Sequence, residues 1–367
     1  MLRQYRIRDY DFKLIFLVVA LTIIGILAIG SAKEALQNKQ ITGFVLGFFL
    51  MLVLSLFDYS VILKFYWVLY TLNLVLLTLV KVMGVEAGGA QRWVNIFGVQ
   101  FQPSETAKIL LILFFAQFIM KHKDEMDTFR IVSACVLLFI PPILLIYKQP
   151  DMSTSIMVMI LFCVILFVGG ISWKYIILAL AVAIPAFIIV LTLILQPDQK
   201  LIDPYQQTRI LAWLYPEEYA YAEAYQQNNS ITAIGSGMLY GKGYRTNEIS
   251  SVKNGNFISE PQTDFIFAVI GEEFGFIGGC AVIVLLIFIS FECIMVARKA
   301  KDIAGTIIAS GVAALIGFQG MINISVATGV IPNTGIPLPF VSYGLTSLVS
   351  LYIGVGFVLN VRLQCKK

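Results

Sequence analysis

"FIFAVIGEEFGFIGGCAVIVLLIFISFECIMV", residues 265–296, is about 32 residues of nearly unbroken apolar sequence. One untilted membrane span needs only roughly 17–25 residues. Gly275, Gly278 and Gly279 interrupt the run, and glycine lets a chain leave helical geometry at little steric cost. The segment therefore reads as a short interfacial or re-entrant helix over 264–274, followed by a true span at 276–297. On this reading Glu272 and Glu273 lie near an interface and not at the bilayer centre, where a carboxylate is costly. Asp264 stands at the mouth of the membrane, where a polar loop ends and a helix begins.

The rest of the chain is of the same kind. Of 367 residues, 59% are hydrophobic and 13% charged, against about 25% charged in ordinary soluble domains. A membrane β-barrel alternates apolar and polar residues, and these long apolar runs do not. The fold class is an all-α polytopic membrane protein with about ten transmembrane helices, at 14–32, 41–57, 61–82, 104–120, 130–147, 153–169, 173–195, 276–297, 303–328 and 340–361. Residues 1–367 read as a single transmembrane domain, with a large loop at 196–264 between spans 7 and 8. The basic N-terminus followed by a long apolar run reads as an uncleaved anchor.

Composition also excludes. A net charge of +4 suggests no nucleic-acid partner. The cysteines at 135, 163, 280, 293 and 365 form no CxxC pair, which argues against structural zinc and a disulfide framework. The single histidine, His122, sits between Lys121 and Lys123, so a histidine-based triad is not expected.

Lysine and arginine set the orientation. With the N-terminus inside, the inner segments collect Arg3, Arg6, Arg8, Lys13, Lys64, Lys121, Lys123, Arg130, Lys174, Arg298, Lys299, Lys301, Arg362, Lys366 and Lys367. Both termini are then cytoplasmic, and the 196–264 loop is extracytoplasmic. So are "GAQRWVNIFGVQFQPSE" (89–105), "KQPDMS" (148–153) and "IPNTGIPLPFVSYG" (331–344). Every polar cluster that could do chemistry faces outward, away from cytoplasmic nucleotides.

Each candidate residue has two readings. Glu105 and Lys108 share a helix face at i,i+3 spacing: they are a dipole-friendly glutamate with its partner, or a charged pair lining a cavity. Asp151 in "QPDMSTS" (149–155) caps a helix or serves the site. Arg92, beside Trp93 in a hairpin-like or interfacial segment, could bind a phosphate bidentately. Residues 205–227 read as an amphipathic helix on the membrane surface. "AIGSGMLYGKGY" (233–244) is not a phosphate loop, because Ser236 and Gly243 break the pattern; it is a tight turn or a source of backbone N–H groups. Gln319 and Asn323, four apart in the ninth span, read as hydrogen bonds between helices. Asp264 caps a helix, or, with Glu260, Glu272 and Glu273 nearby in sequence, is a carboxylate whose pKa is raised into the range of a general base.

Six segments together carry a resemblance: "GAQRW", "QPSE" with Lys108, "QPD", "AIGSGMLYGKG", "TDFIFAVIGEEFGFIG" and "TGIPLPFVSYG". In order and spacing, along nearly the whole chain, they resemble the SEDS family (shape, elongation, division and sporulation), its elongation-type members more than its division-type members. The resemblance implies a ten-helix peptidoglycan glycosyltransferase of the bacterial cytoplasmic membrane. It would polymerise lipid II, an undecaprenyl-pyrophosphate-linked disaccharide pentapeptide, beside a class B penicillin-binding protein. The family's essential aspartate falls on Asp264, and its acidic–basic pair on Glu105 and Lys108. Ser342 lies in the last motif and joins the substrate-binding candidates.

The chain departs from the family pattern in three places. Ser259-Glu260-Pro261-Gln262 stands where Pro-Glu-x-His is usual, Met152 and Ser153 where Leu and Gly are usual, and Leu345 where a second glycine is usual.

The implied reaction is inverting. The acceptor's 4-hydroxyl attacks the anomeric carbon of the growing chain, Asp264 takes the proton, and undecaprenyl pyrophosphate leaves. Lys108, Arg92, Arg209 and Lys242 are candidates to meet the pyrophosphate charge, and a divalent cation, Mg or Mn, could assist. Glu272 and Glu273 would hold the loop or tune Asp264. Three alternatives are a lipid II flippase or transporter, a different polyprenyl-linked glycosyltransferase, and an inactive scaffold that holds a transpeptidase.

Overall fold

The computed structural model describes residues 10–87, 90–96, 99–196, 199, 202, 204–219, 224–246, 251, 255 and 257–365. Arg3, Arg6, Arg8, Lys366 and Lys367, used above for orientation, lie outside these residues.

Thirteen α-helices, one short 3-10 helix (Lys123–Glu125) and one small sheet are the regular elements of the described residues. Helices α1 (Phe12–Ala32) and α2 (Glu34–Leu56) form a hairpin joined by Lys33. A short α3 (Tyr59–Leu63) and α4 (Tyr66–Met83) follow. Strands β1 (Gly84–Ala87), β2 (Ala90–Ile96) and β3 (Val99–Phe101) pair antiparallel in sequence order. Next come α5 (Pro103–Lys121), α6 (Phe129–Tyr147), α7 (Met152–Val168) and α8 (Trp173–Ile194). The long loop carries α9 (Pro204–Leu214) and α10 (Ala224–Ser236). The chain closes with α11 (Ile266–Arg298), α12 (Ile303–Ala327) and α13 (Leu345–Leu363).

Among the described residues nine helices are long and apolar enough to cross a membrane. The tenth expected span is α7, whose 17 residues reach about 25 Å at 1.5 Å per residue. Aspartates set several starts. Asp11 accepts from Leu14 N at 3.1 Å, Asp151 from Thr154 N at 3.1 Å and Asp302 from Gly305 N at 2.8 Å, each meeting an N–H group that a helix start leaves unpaired.

Helix α5 is the buried centre, packed against α4 and α12, while α13 packs on α2 and α11 on α12. Helix α8 is the outlier: Ile194 is its one buried residue. Its apolar surface suits a lipid environment, since bilayer tails are as apolar as its side chains.

Three boundaries differ from the sequence reading. The expected span at 61–82 divides into α3 and α4. The expected amphipathic helix at 205–227 is α9 and the start of α10, with 220–223 outside the described residues. The expected span at 340–361 starts at Leu345, because Phe340 has a positive φ of 62° and Gly344, at φ 165°, is the non-helical cap before the first turn. The 330–344 stretch instead runs inward as non-helical chain, burying Ile336, Leu338, Phe340 and Val341.

Helix α11 breaks where the glycines predict. Gly275 has φ 65° and ψ −162°, a conformation open to glycine and strained for other residues. The "GMLYGKG" loop splices the break. Lys242 N and Gly243 N donate to the carbonyls of Glu272 (2.9 Å) and Glu273 (3.1 Å), while Phe276 N and Ile277 N donate to those of Met238 (2.8 Å) and Leu239 (3.3 Å). The loop thus satisfies the end of one half-helix and the start of the next, as membrane-depth backbone requires. Its glycines serve this approach: a Cβ on Gly241 would lie 2.2 Å from Glu273 O, and one on Gly237 2.0 Å from Gly271 O.

Candidate active site

Asp264 lies just before α11, and its main chain is held on all sides. Tyr343 N donates to Gln262 O (2.9 Å), Ser342 Oγ to Thr263 O (2.6 Å) and Asn323 Nδ2 to Asp264 O (2.8 Å). Three consecutive carbonyls are thereby fixed, and the carboxylate projects from a rigid base.

The carboxylate faces Gly335. A Cβ there would sit 3.4 Å from Asp264 Oδ2 and 4.0 Å from an Arg209 guanidinium nitrogen. Gly335 has φ +71°, so glycine serves both the conformation and the close approach. Arg209, on α9, donates to Asn333 O at 3.3 Å. Crowding by protein atoms desolvates Asp264 and pushes its pKa up; Arg209 and then Arg92 pull it down, and Glu260 and Asp151 push it up again. Although part of the residue's surface stays open, desolvation prevails. The sequence candidates Arg92, Asp151, Arg209 and Glu260 are therefore all electrostatic neighbours of Asp264.

Each neighbour is placed by its own element. Arg92, on β2, donates to Pro150 O and lies 3.9 Å from Asp151 Oδ1. Asp151 caps α7, with Thr154 Oγ1 on its other oxygen at 2.9 Å, so it both caps a helix and charges the site. Glu260 is exposed and accepts from Gln262 Nε2.

Glu105 and Lys108 pair at 2.7 Å in the first turns of α5, 4% and 3% exposed. Lys108 also donates to Gln319 Oε1 on α12 at 3.1 Å. Below Lys108, Leu111, Phe115, Phe139 and Phe162 line a narrow apolar cleft.

Ser342 works within the scaffold: its hydroxyl accepts from Leu338 N at 2.7 Å while donating to Thr263 O. Lys242, Glu272 and Glu273 assemble at the α11 break. Lys242 Nζ meets Glu272 Oε1 at 2.9 Å, and Ser31 of α1 donates to Glu273.

The sequence reading missed how many polar groups hold the 333–338 segment. Arg209 donates to Asn333 O, Ser153 to Thr334 O, Asn323 to Ile336 O at 2.7 Å and Gln319 to Pro337 O at 2.9 Å. Gln319 and Asn323 reach a loop and Lys108. Ser153, which replaces a glycine of the family pattern, adds one of these bonds. The legible signal was two amides one helical turn apart in an apolar span.

Among the described residues no group of three or more His, Cys, Asp or Glu side chains is placed to hold a metal ion. The divalent cation that could assist the leaving group finds no preassembled ligand set in them.

The fold and site together define a polytopic helical membrane protein with a desolvated aspartate and two arginines at one end of its bundle. Residues 10–367 match the family described as FTSW_RODA_SPOVE, cell cycle protein, and the chain belongs to that family. It is 33% identical over 359 residues to the peptidoglycan glycosyltransferase MrdB of Escherichia coli K12, covering 97% of this chain and 94% of the relative. It is 29% identical to the probable peptidoglycan glycosyltransferase FtsW of Aliivibrio salmonicida, covering 97% and 90%. A solved chain described under structural coordination of polymerization and crosslinking by a peptidoglycan synthase complex superposes with TM-score 0.78 at 29% identity, covering 96% of this chain and 97% of that one. The rod shape determining protein RodA of Thermus thermophilus superposes with TM-score 0.71 at 27% identity, covering 98% of each chain.

Proposed function

We propose that this protein is a peptidoglycan glycosyltransferase that polymerises lipid II on the outer face of the cytoplasmic membrane. The observation that carries the reading is the desolvated Asp264 carboxylate beside Arg209 and Arg92. A base with a raised pKa and two cations within electrostatic reach is what inverting transfer from a pyrophosphate-linked sugar needs.

In the reaction the acceptor's 4-hydroxyl oxygen forms a bond to the donor's anomeric carbon. The bond from that carbon to the pyrophosphate oxygen breaks, and its electron pair leaves with undecaprenyl pyrophosphate. Asp264 accepts the hydroxyl proton from the face opposite the leaving group, so the linkage inverts from α to β. Arg92 and Arg209 meet the charge that builds on the leaving pyrophosphate. Lys108 and Lys242, the other cation candidates, stand in ion pairs with Glu105 and Glu272 and act through the frame of the site. The lipid tails lie among the bundle's helices and keep both sugars at one depth, which lowers the entropic barrier.

The orientation rests on the lysines and arginines at the end of the bundle opposite the site. A class B penicillin-binding protein is the proposed partner that cross-links the product, in keeping with the synthase complex from which one similar solved chain comes.

The test is polymerisation of lipid II by the purified protein, with and without such a partner, read as glycan chain length on a gel. Glycan strands support the reading. Their absence in both conditions, with lipid II instead crossing a liposome bilayer, would replace it with a transporter.

A further inference from the structure

The amides of Gln319 and Asn323 lie one turn apart on α12, 0% and 1% exposed. They do not pair with each other or with a facing helix backbone. Gln319 accepts from Lys108 and donates to Pro337 O, while Asn323 donates to both Ile336 O and Asp264 O. One rigid helix therefore joins three parts of the site: the Glu105–Lys108 pair, the wall that carries Gly335, and the main chain of Asp264.

Asn323 carries a further sign. Its Oδ1 is buried with no hydrogen-bond partner among the described residues. A buried unmet acceptor costs stability, and departures of this kind concentrate where function fixes geometry. Asn323 Nδ2 answers two main-chain carbonyls, and its Oδ1 is the half of the amide that those bonds do not account for.

We propose that Gln319 and Asn323 are positioning residues for the glycosyl transfer. They fix the distance between the Asp264 carboxylate and the Gly335 wall against which the acceptor hydroxyl must sit, and they join the Glu105–Lys108 pair to that unit. Neither need touch substrate. This inference rests on the proposed glycosyltransferase activity, since it concerns the geometry of that site.

The test uses the full-length protein with lipid II and two variants, Asn323→Ala and Gln319→Met. Four quantities are read: kcat, KM, the pH profile of kcat/KM, and the midpoint of thermal unfolding. A misplacement of about 1 Å costs on the order of 100-fold in rate, so kcat is expected to fall about 10- to 100-fold with KM within about 3-fold. The acid limb of the Asn323→Ala profile should also move to lower pH, because a loosened wall admits water to Asp264. A purely structural role predicts a lower unfolding midpoint, an unmoved limb and normal kcat in the folded fraction; that result would overturn the proposal. If Asn323→Ala does not fold, Gln319→Met keeps the side-chain volume and decides by the same kcat-against-KM split. Failure of the native protein to polymerise lipid II would count against the proposed function and so remove the ground of this inference, whereas active native protein with unchanged variants would overturn the inference alone.

Discussion

Lys242 holds Glu272 twice: its backbone N–H donates to the Glu272 carbonyl at 2.9 Å, and its ammonium meets the Glu272 carboxylate at 2.9 Å. Main chain and side chain thus grip the same residue across the break at Gly275. Lys242→Met is expected to lower stability by about 1–3 kcal/mol, because Glu272 is almost fully buried and loses a charged partner. Thermal unfolding in detergent measures the loss.

The splice makes a sharper prediction for its glycines. Gly237→Ala and Gly241→Ala each place a methyl within 2.2 Å of a backbone carbonyl oxygen, and Gly241 also has φ +83°. Both should destabilise by about 3 kcal/mol or more, since backbone must shift. Gly235, in α10, has open space around it, so Gly235→Ala should be neutral or stabilise by up to about 1 kcal/mol. Unfolding midpoints of the three variants separate these outcomes.

The Glu105–Lys108 pair is buried within α5. Lys108→Met leaves Glu105 buried beside an apolar side chain and is expected to cost about 3–5 kcal/mol. The double variant Glu105→Gln/Lys108→Met should recover most of that stability. If the pair serves the reaction, the double variant will fold yet polymerise poorly; a folded and active double variant would make the pair structural only.

Asp264 gives a pH prediction with a definite sign. Burial raises its pKa in the fold, so the folded protein holds this proton more tightly than the unfolded chain. Its contribution to stability is therefore present below the ordinary carboxylate range and is lost as pH rises through the raised pKa. Asp264→Asn should be at least as stable as the native protein at neutral pH, an advantage that vanishes in acid. For activity, kcat/KM should fall on an acid limb above the ordinary aspartate value of about 3.9. Arg209→Gln removes the strongest influence lowering that pKa and should move the limb to higher pH.

Much of this was legible in the sequence. The long run broken by Gly275 foretold two half-helices, because length and glycine placement are local properties. The Glu105–Lys108 pair followed from i,i+3 spacing, and Asp264 from its place between loop and membrane. The function of "GMLYGKG" was not legible. Its glycines are needed because another backbone passes within van der Waals distance, which is a tertiary fact. Gln319 and Asn323 read as hydrogen bonds between helices, which the Lys108–Gln319 bond is, and Ser342 as a substrate-binding candidate; their other partners, Thr263, Pro337, Ile336 and Asp264, lie in remote or non-helical chain that periodicity does not place. Leu345 begins α13 later than hydropathy alone suggests, because the apolar residues before it lie in a buried turn in which Phe340 has a positive φ.

The most direct test of the account compares lipid II polymerisation by the native protein and by Asp264→Asn, both shown to be folded, across a range of pH. Glycan strands from the native protein and none from Asp264→Asn at any pH is the predicted result. Equal polymer from both would contradict it and remove Asp264 as the base.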